Sequence, residues 1–261
     1  MGVQDPAEDA GVARRMERGR VAEVVAANVG RTVLIGRGRE LDLIANALEV
    51  SRTEGLRVVL IVGEAGIGKT RLLTEALADG LRRGALAVVG RCLDERGMPP
   101  YMPWINLAAS LSGTDAGKSA GQELRALLLD SEDPDPSPAT GGMERRRIRL
   151  FEAIRDAIAA LARRQPVIVG FDDLQWSDPS SNQLLRYLAG RLADAPLLIV
   201  GASRVEEMEP NLEFARTRAE FDRKRLLTEI HLRRFEERET GALVASLMGG
   251  SSRRLWVRCM P

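Results

Sequence analysis

Short runs of β-branched and aliphatic residues alternate along this chain with longer segments whose apolar positions recur every three or four residues. Arg57 to Val62, Leu86 to Gly90, Val167 to Phe171 and Leu197 to Gly201 are apolar almost throughout. That is the pattern of strands buried on both faces of a parallel sheet. Glu229-Ile230-His231-Leu232 predicts a last, shorter strand. Between the runs lie amphipathic helices: one carrying Leu41, Ile44 and Leu48, one from Lys69 to Arg83, and one from Met143 to Arg164 with Ile148, Phe151, Ile154, Ile158 and Leu161 on its core face. A further helix opens at Asp178-Pro179, a capping aspartate before a first-turn proline, and turns Leu184, Leu185, Leu188 and Leu192 inward. The alternation predicts an α/β fold with helices flanking a parallel sheet.

Other stretches break the pattern. Pro99, Pro100 and Pro103 are expected to interrupt helix formation and leave an irregular segment around Tyr101 and Trp104. Asp133 to Pro138 and Gly141-Gly142 read as an exposed acidic loop. Residues 1–30 read as a tail or a poorly docked helix. Arg145, Arg146, Arg147 and Arg149 read as the solvated face of their helix rather than a nucleic-acid contact.

The candidate chemistry sits at the ends of two of the strands. Gly63-Glu64-Ala65-Gly66-Ile67-Gly68-Lys69-Thr70 fits the phosphate-loop pattern G-x-x-x-x-G-K-[ST] at every fixed position, and it lies between a strand and a helix. Consecutive backbone N–H groups and a helix N-terminus there make an anion site. Lys69 is expected to reach the β- and γ-phosphates, and the Thr70 hydroxyl to hold Mg²⁺. Asp172-Asp173 ends another buried strand. Asp172 is the second candidate for the metal, and Asp173 the candidate to position or polarise an attacking water.

Composition changes little. Of the 261 residues, 44% are hydrophobic and 29% charged, with a net charge of +1, so bulk electrostatics argues neither for nor against a nucleic-acid partner. No apolar run reaches membrane-spanning length and the polar N-terminus shows no signal sequence, so a cytoplasmic protein without membrane contact is expected. Cys92 and Cys259 are expected to be reduced thiols, and His231 to be structural or exposed at a strand end.

Four segments together resemble the nucleotide-binding domain of signal-transducing ATPases with numerous domains. The likeness is greatest to the AAA-16 modules of large ATP-binding LuxR-type regulators. They are Leu34-Ile35-Gly36-Arg37-Gly38-Arg39-Glu40-Leu41, the phosphate loop continued through Arg71-Leu72-Leu73, Asp172-Asp173-Leu174-Gln175-Trp176-Ser177-Asp178-Pro179, and Gly201-Ala202-Ser203-Arg204. Two positions depart from the family pattern: Gly38 in the lead-in, and Gln175 where the family often has His.

The resemblance implies a P-loop fold with five parallel strands in the order 5-1-4-3-2. It implies an ATP/ADP site with Mg²⁺ that includes Gly36 and Arg37 near the adenine, Gly63 through Arg71, and Arg204 as a sensor of the γ-phosphate. It also implies an ATPase domain over 31–235, able to self-associate, followed at 236–261 by a helical lid. The apolar face of that lid is Leu243, Leu247 and Met248. From Gly249 both helical period and family likeness are lost, which suggests a chain truncated or frame-shifted inside the lid, with DNA contacted only through domains it lacks. The function implied is a slow ATP-hydrolysing switch, since no arginine finger in cis is evident. An ATPase or phosphotransferase for a small substrate, a nucleic-acid-associated ATPase and an inert fragment stand as alternatives.

Overall fold

The computed structural model describes residues 34–94, 99–114, 116–130, 142–204 and 211–247. In chain order these form α1 (Gly38–Glu54), β1 (Arg57–Val62), α2 (Lys69–Arg82), β2 (Leu86–Arg91), α3 (Met102–Ser112), α4 (Lys118–Asp130) and α5 (Gly142–Ala162). There follow β3 (Val167–Asp172), α6 (Pro179–Arg191), β4 (Leu197–Ser203), α7 (Leu212–Arg223), β5 (Leu227–His231) and α8 (Glu237–Leu247).

The five strands pair in parallel in the order β2-β3-β4-β1-β5, the order that the resemblance implies. Register places Val62 opposite Ser203 on one side and His231 on the other, and Arg91 opposite Asp172. The C-terminal ends of the strands therefore converge on one edge, where ligands of open α/β sheets bind.

The apolar runs are continuous because both faces of the sheet are covered. Val59 and Ile61 of β1 pack with Ile44, Leu48, Leu72 and Leu77 of α1 and α2. Val58, Leu60 and Val62 belong to the opposite core, with Trp104, Phe151, Ile154, Phe171, Leu184 and Phe214.

In the segment 99–114 the structure corrects the sequence reading. The prolines do not abolish a helix; they start one. Tyr101 caps α3 in a left-handed conformation (φ 65°) and Pro103 falls in the first turn. Helical N–H groups have no intrahelical partner there, so the proline removes nothing. Trp104 is thereby driven into the core, its ring 5.1 Å from that of Phe171. The helix α4 that packs on α3 was likewise not anticipated.

Ile148, assigned to the core face of α5, is 44% exposed, and Leu150 is buried instead. At about 100° per residue Ile148 lies about 120° around the helix from Ile154, whereas Leu150 lies about 40° away. Of the arginine cluster of α5, Arg145, Arg146 and Arg149 are exposed, as expected, whereas Arg147 is half-buried and pairs with Glu144 and Gln183.

His231 ends β5 with its ring exposed, 3.3 Å from the Glu229 carboxylate. Cys92 is free and buried, and burial pushes its thiol well above the ordinary range. Among the described residues no helix is long and apolar enough to cross a membrane. The tail at 1–30, the acidic stretch 133–138, Met248 and the segment from Gly249 lie outside the described residues.

Candidate nucleotide site

The loop from Gly63 to Gly68 leaves β1 at the sheet edge and returns as α2. Gly66 and Gly68 take φ of 76° and 102°, a region that side chains resist and that the turn into the helix requires. Gly63 N–H donates to Ser203 O at 3.4 Å, tying the loop's origin to the end of β4.

Lys69 is buried, and its ammonium donates to the carbonyls of Gly63 (2.9 Å) and Glu64 (2.8 Å). The loop is thus wrapped around its own lysine. Ala65 is exposed at the tip and Ile67 half-buried against its base, where its methyl lies against Gly63. Arg71, a turn into α2, pairs with Glu75 at 3.5 Å.

The paired aspartates meet this loop from β3. The Thr70 hydroxyl donates to Asp172 Oδ1 at 3.0 Å, which joins residues 102 positions apart. Asp172 is only 6% exposed. Burial, and next the charge of Asp173, raise its pKa, while the Thr70 hydrogen bond pulls it part of the way back. Two hard oxygen donors, one of them an unfavourably placed carboxylate, suit a magnesium ion. No cluster of three or more His, Cys, Asp or Glu that would cage a metal exists among the described residues.

The folded state holds the Asp172 pKa above its unfolded value. The stability this group contributes is therefore full only below the unfolded pKa and is lost as pH rises through the folded one. At neutral pH the ionised carboxylate is a net cost. Asp172→Asn is therefore expected to raise Tm of the nucleotide-free protein at pH 7–8. The gain should shrink as pH falls, and thermal scans from pH 4.5 to 8 check both.

Asp173 takes the left-handed conformation (φ 58°) and caps a single 3₁₀ turn, Leu174–Trp176. Its Oδ1 accepts from Gln175 Nε2 at 3.0 Å, and Oδ2 lies 3.8 Å from the exposed Arg91 guanidinium. Arg204 follows β4 directly, and its backbone N–H donates to Gln175 Oε1 at 3.2 Å. Asp172, Asp173, Thr70, Lys69 and Arg204 thus gather at one edge of the sheet.

Gly36 and Arg37 lie instead against the connection from β5 to α8. Arg37 is 6% exposed. Its guanidinium donates to Arg233 O (2.6 Å) and Glu40 (3.2 Å) and sits 4.5 Å over the Phe235 ring. A side chain at Gly36 would meet Glu239 and Phe235. One residue on, Arg234 donates twice to the Glu64 carboxylate, at 2.6 and 2.9 Å. The β5–α8 connection is therefore held both by the lead-in and by the phosphate loop.

Sequence reasoning missed this grip, and it missed Asn211. The Asn211 amide donates to the carbonyls of Gln175 (3.0 Å) and Ser177 (2.9 Å), while its own oxygen caps α7. An asparagine directly before an amphipathic stretch is a helix-start signal that would have found it.

The family profile of the AAA ATPase domain, AAA_16, matches residues 33–200. The chain belongs to the AAA_16 family of AAA ATPase domains. The AAA_16 resemblance of the motifs is thereby borne out; the candidate residues Lys69, Thr70, Asp172 and Asp173 lie inside the matched range and Arg204 just beyond it.

An uncharacterized protein of Rhizobium meliloti is 30% identical over 190 residues, covering 66% of this chain and 18% of that protein. The chain so spans less than a fifth of the length of the curated relative it matches. Among solved structures, the E. coli MS115-1 HORMA:CdnC:Trip13 complex matches with a TM-score of 0.50 at 12% identity over 87% of this chain and 72% of the other. A STAND protein with a tetratricopeptide repeat sensor from Pyrococcus horikoshii gives 0.44 at 23% identity, over 84% of this chain and 26% of that one. AMPPCP-bound DnaA from Aquifex aeolicus gives 0.47 at 13%, over 85% and 53%. At 12% identity the likeness to the HORMA:CdnC:Trip13 complex speaks for the fold alone.

Proposed function

We propose that this AAA ATPase domain is the ATP-binding, slowly hydrolysing switch of a signal-transducing regulator of the LuxR type. Residues 31–235 form its nucleotide-binding core, and the helix from Glu237 begins its lid. The observation that carries the reading is the Thr70–Asp172 hydrogen bond. It brings the phosphate loop and the paired aspartates to one point, beside a lysine already cradled by the loop carbonyls.

In this reading Lys69 exchanges the carbonyls of Gly63 and Glu64 for the β- and γ-phosphate oxygens of ATP, and loop N–H groups from Gly63 to Arg71 hold the rest of the triphosphate. Thr70 and Asp172 hold Mg²⁺, which when bound neutralises charge on the phosphates. Asp173 accepts a proton from, or orients, the attacking water. Arg204 senses the γ-phosphate, as a guanidinium suits three phosphate oxygens.

Gly36 and Arg37 shape the adenine side, and the contacts of Arg37 with Arg233 and Phe235 link that side to the segment that leads into the lid. A switch requires the two nucleotides to favour different arrangements. The β5–α8 connection, bonded to Glu64 in the phosphate loop, is the segment placed to differ. Self-association through this domain is part of the reading and is checked by sedimentation with and without nucleotide.

Thermal unfolding with Mg-ATP tests the reading. Ligand at a hundred times Kd should add about 2.7 kcal/mol, or about 5–10 °C in Tm. A folded chain that neither Mg-ATP nor Mg-ADP stabilises would overturn it.

A further inference from the structure

Gln175 is 2% exposed, yet it lies between the two groups to which hydrolysis is assigned. Its Nε2 donates to Asp173 Oδ1 at 3.0 Å and its Oε1 accepts from the Arg204 backbone N–H at 3.2 Å. Only one orientation of the amide satisfies both. Flipped, it would face a carboxylate with its oxygen and an N–H with its own N–H. The backbone of Gln175 is held as well, since its carbonyl accepts from Asn211 Nδ2, and Asn211 is fixed by capping α7. Below it, Ser177 Oγ donates to Leu174 O at 2.7 Å and closes the 3₁₀ turn.

We infer that Gln175 is a positioning residue that fixes the Asp173 carboxylate relative to the end of β4. This rests on the reading of Asp173 as the group that handles the attacking water. The left-handed backbone of Asp173 aims its side chain but does not set its rotation; the amide does. With Oδ1 engaged by Gln175, Oδ2, whose ion-pair partner among the described residues is the exposed Arg91 guanidinium 3.8 Å away, is the oxygen left to meet water. The same amide makes the carboxylate's placement depend on Arg204. A shift of the β4 end that breaks the Arg204–Gln175 bond releases Asp173 as well. The element that senses the third phosphate is thereby joined to the group that removes it by a buried side chain whose amide is bonded at both its nitrogen and its oxygen. A buried polar group pairing with both is costly to disturb and specific in geometry.

Two substitutions separate the bonds. Gln175→Glu keeps the length and the acceptor for Arg204 but loses the donor to Asp173. Gln175→Leu loses both at similar volume. Each is compared with the unaltered chain, with Asp173→Asn and with the Asp173→Asn/Gln175→Leu pair. The readouts are single-turnover cleavage of Mg-ATP by excess protein, and Kd for Mg-ATP and Mg-ADP.

The expected result is a cleavage rate about 10–100-fold lower in both single variants, the range that loss of an orienting partner gives, with both affinities retained in Gln175→Leu and lowered by less than the rate in Gln175→Glu, whose added charge repels the triphosphate. In the Asp173→Asn background, Gln175→Leu should cost little more, because the group it positions is already gone. Cleavage at the unaltered rate in the Gln175 variants while Asp173→Asn is impaired overturns the inference alone. So does a fall in rate matched by an equal fall in affinity, or full additivity in the pair. Normal cleavage by Asp173→Asn, or none by the unaltered chain, overturns the underlying reading of Asp173 and the inference with it. Should Gln175→Leu fold poorly, Gln175→Glu with Asp173→Asn carries the same decision.

Discussion

Lys69→Ala is expected to remove the rise in Tm that Mg-ATP gives the unaltered protein. The ammonium is held at the centre of the loop by the Gly63 and Glu64 carbonyls, 2.9 and 2.8 Å away. It is thus positioned before any ligand arrives. Its exchange of neutral carbonyls for charged phosphate oxygens replaces ordinary hydrogen bonds by charge-assisted ones, worth about 1.5–3 kcal/mol each. Losing even two at the lower end weakens binding by at least about 100-fold. At the ligand concentration that is a hundred times the unaltered Kd, the variant would sit near its own Kd. Its stabilisation falls from about 2.7 to about 0.4 kcal/mol, or from about 5–10 °C to about 1–2 °C.

The variant's own Tm without ligand is not the informative quantity, because two loop carbonyls also lose a partner. The difference between scans with and without Mg-ATP is. A variant that responds as strongly as the unaltered chain would remove Lys69, and with it the phosphate loop, from the site.

The sheet and the phosphate loop were legible in the sequence because each is written in consecutive residues. Parallel strands covered on both faces, such as Val58 to Val62, allow no polar interruption. The loop requires glycine where φ is positive, at Gly66 and Gly68. The helix α3 is obscured in the sequence because proline reads there as a breaker, and only the position of Pro103 within the first turn shows it to be a starter.

The resemblance drew Gly36 and Arg37 to the nucleotide. What the sequence did not carry is that Arg37 is occupied by Arg233 O and Phe235, almost two hundred positions away. A pairing at that distance has no period and no spacing. Gln175 was visible only as a departure from the family pattern. Its value lies in a bond to Asp173 two residues earlier and one to Arg204 on a different strand. Such a side chain looks from the sequence like any polar residue in a turn, and only its burial between two partners distinguishes it.

The second large effect expected is on chemistry without binding. Asp173→Asn should lower single-turnover cleavage of ATP by about 10²–10⁴, the range for a positioned general base, while the Mg-ATP thermal shift is retained. The substitution is close to isosteric. The asparagine Oδ1 still accepts from Gln175 Nε2, so the 3₁₀ turn and the end of β4 have no reason to move. What is lost is the second carboxylate oxygen as a proton acceptor, and with it one negative charge beside the phosphates. Removal of that charge weakens repulsion of the triphosphate, so affinity should hold or tighten.

Asp172→Asn is the contrast. It shares the same strand end, but its partner is Thr70, and its loss should reduce magnesium-dependent binding as well as turnover. Two adjacent carboxylates are thus expected to separate cleanly, one by affinity and one by rate. If Asp173→Asn cleaves ATP at the unaltered rate, the water is activated elsewhere, and the left-handed aspartate serves only to cap its turn. If it loses affinity in step with rate, Asp173 acts with Asp172 on the metal, and the division of labour between the pair is wrong.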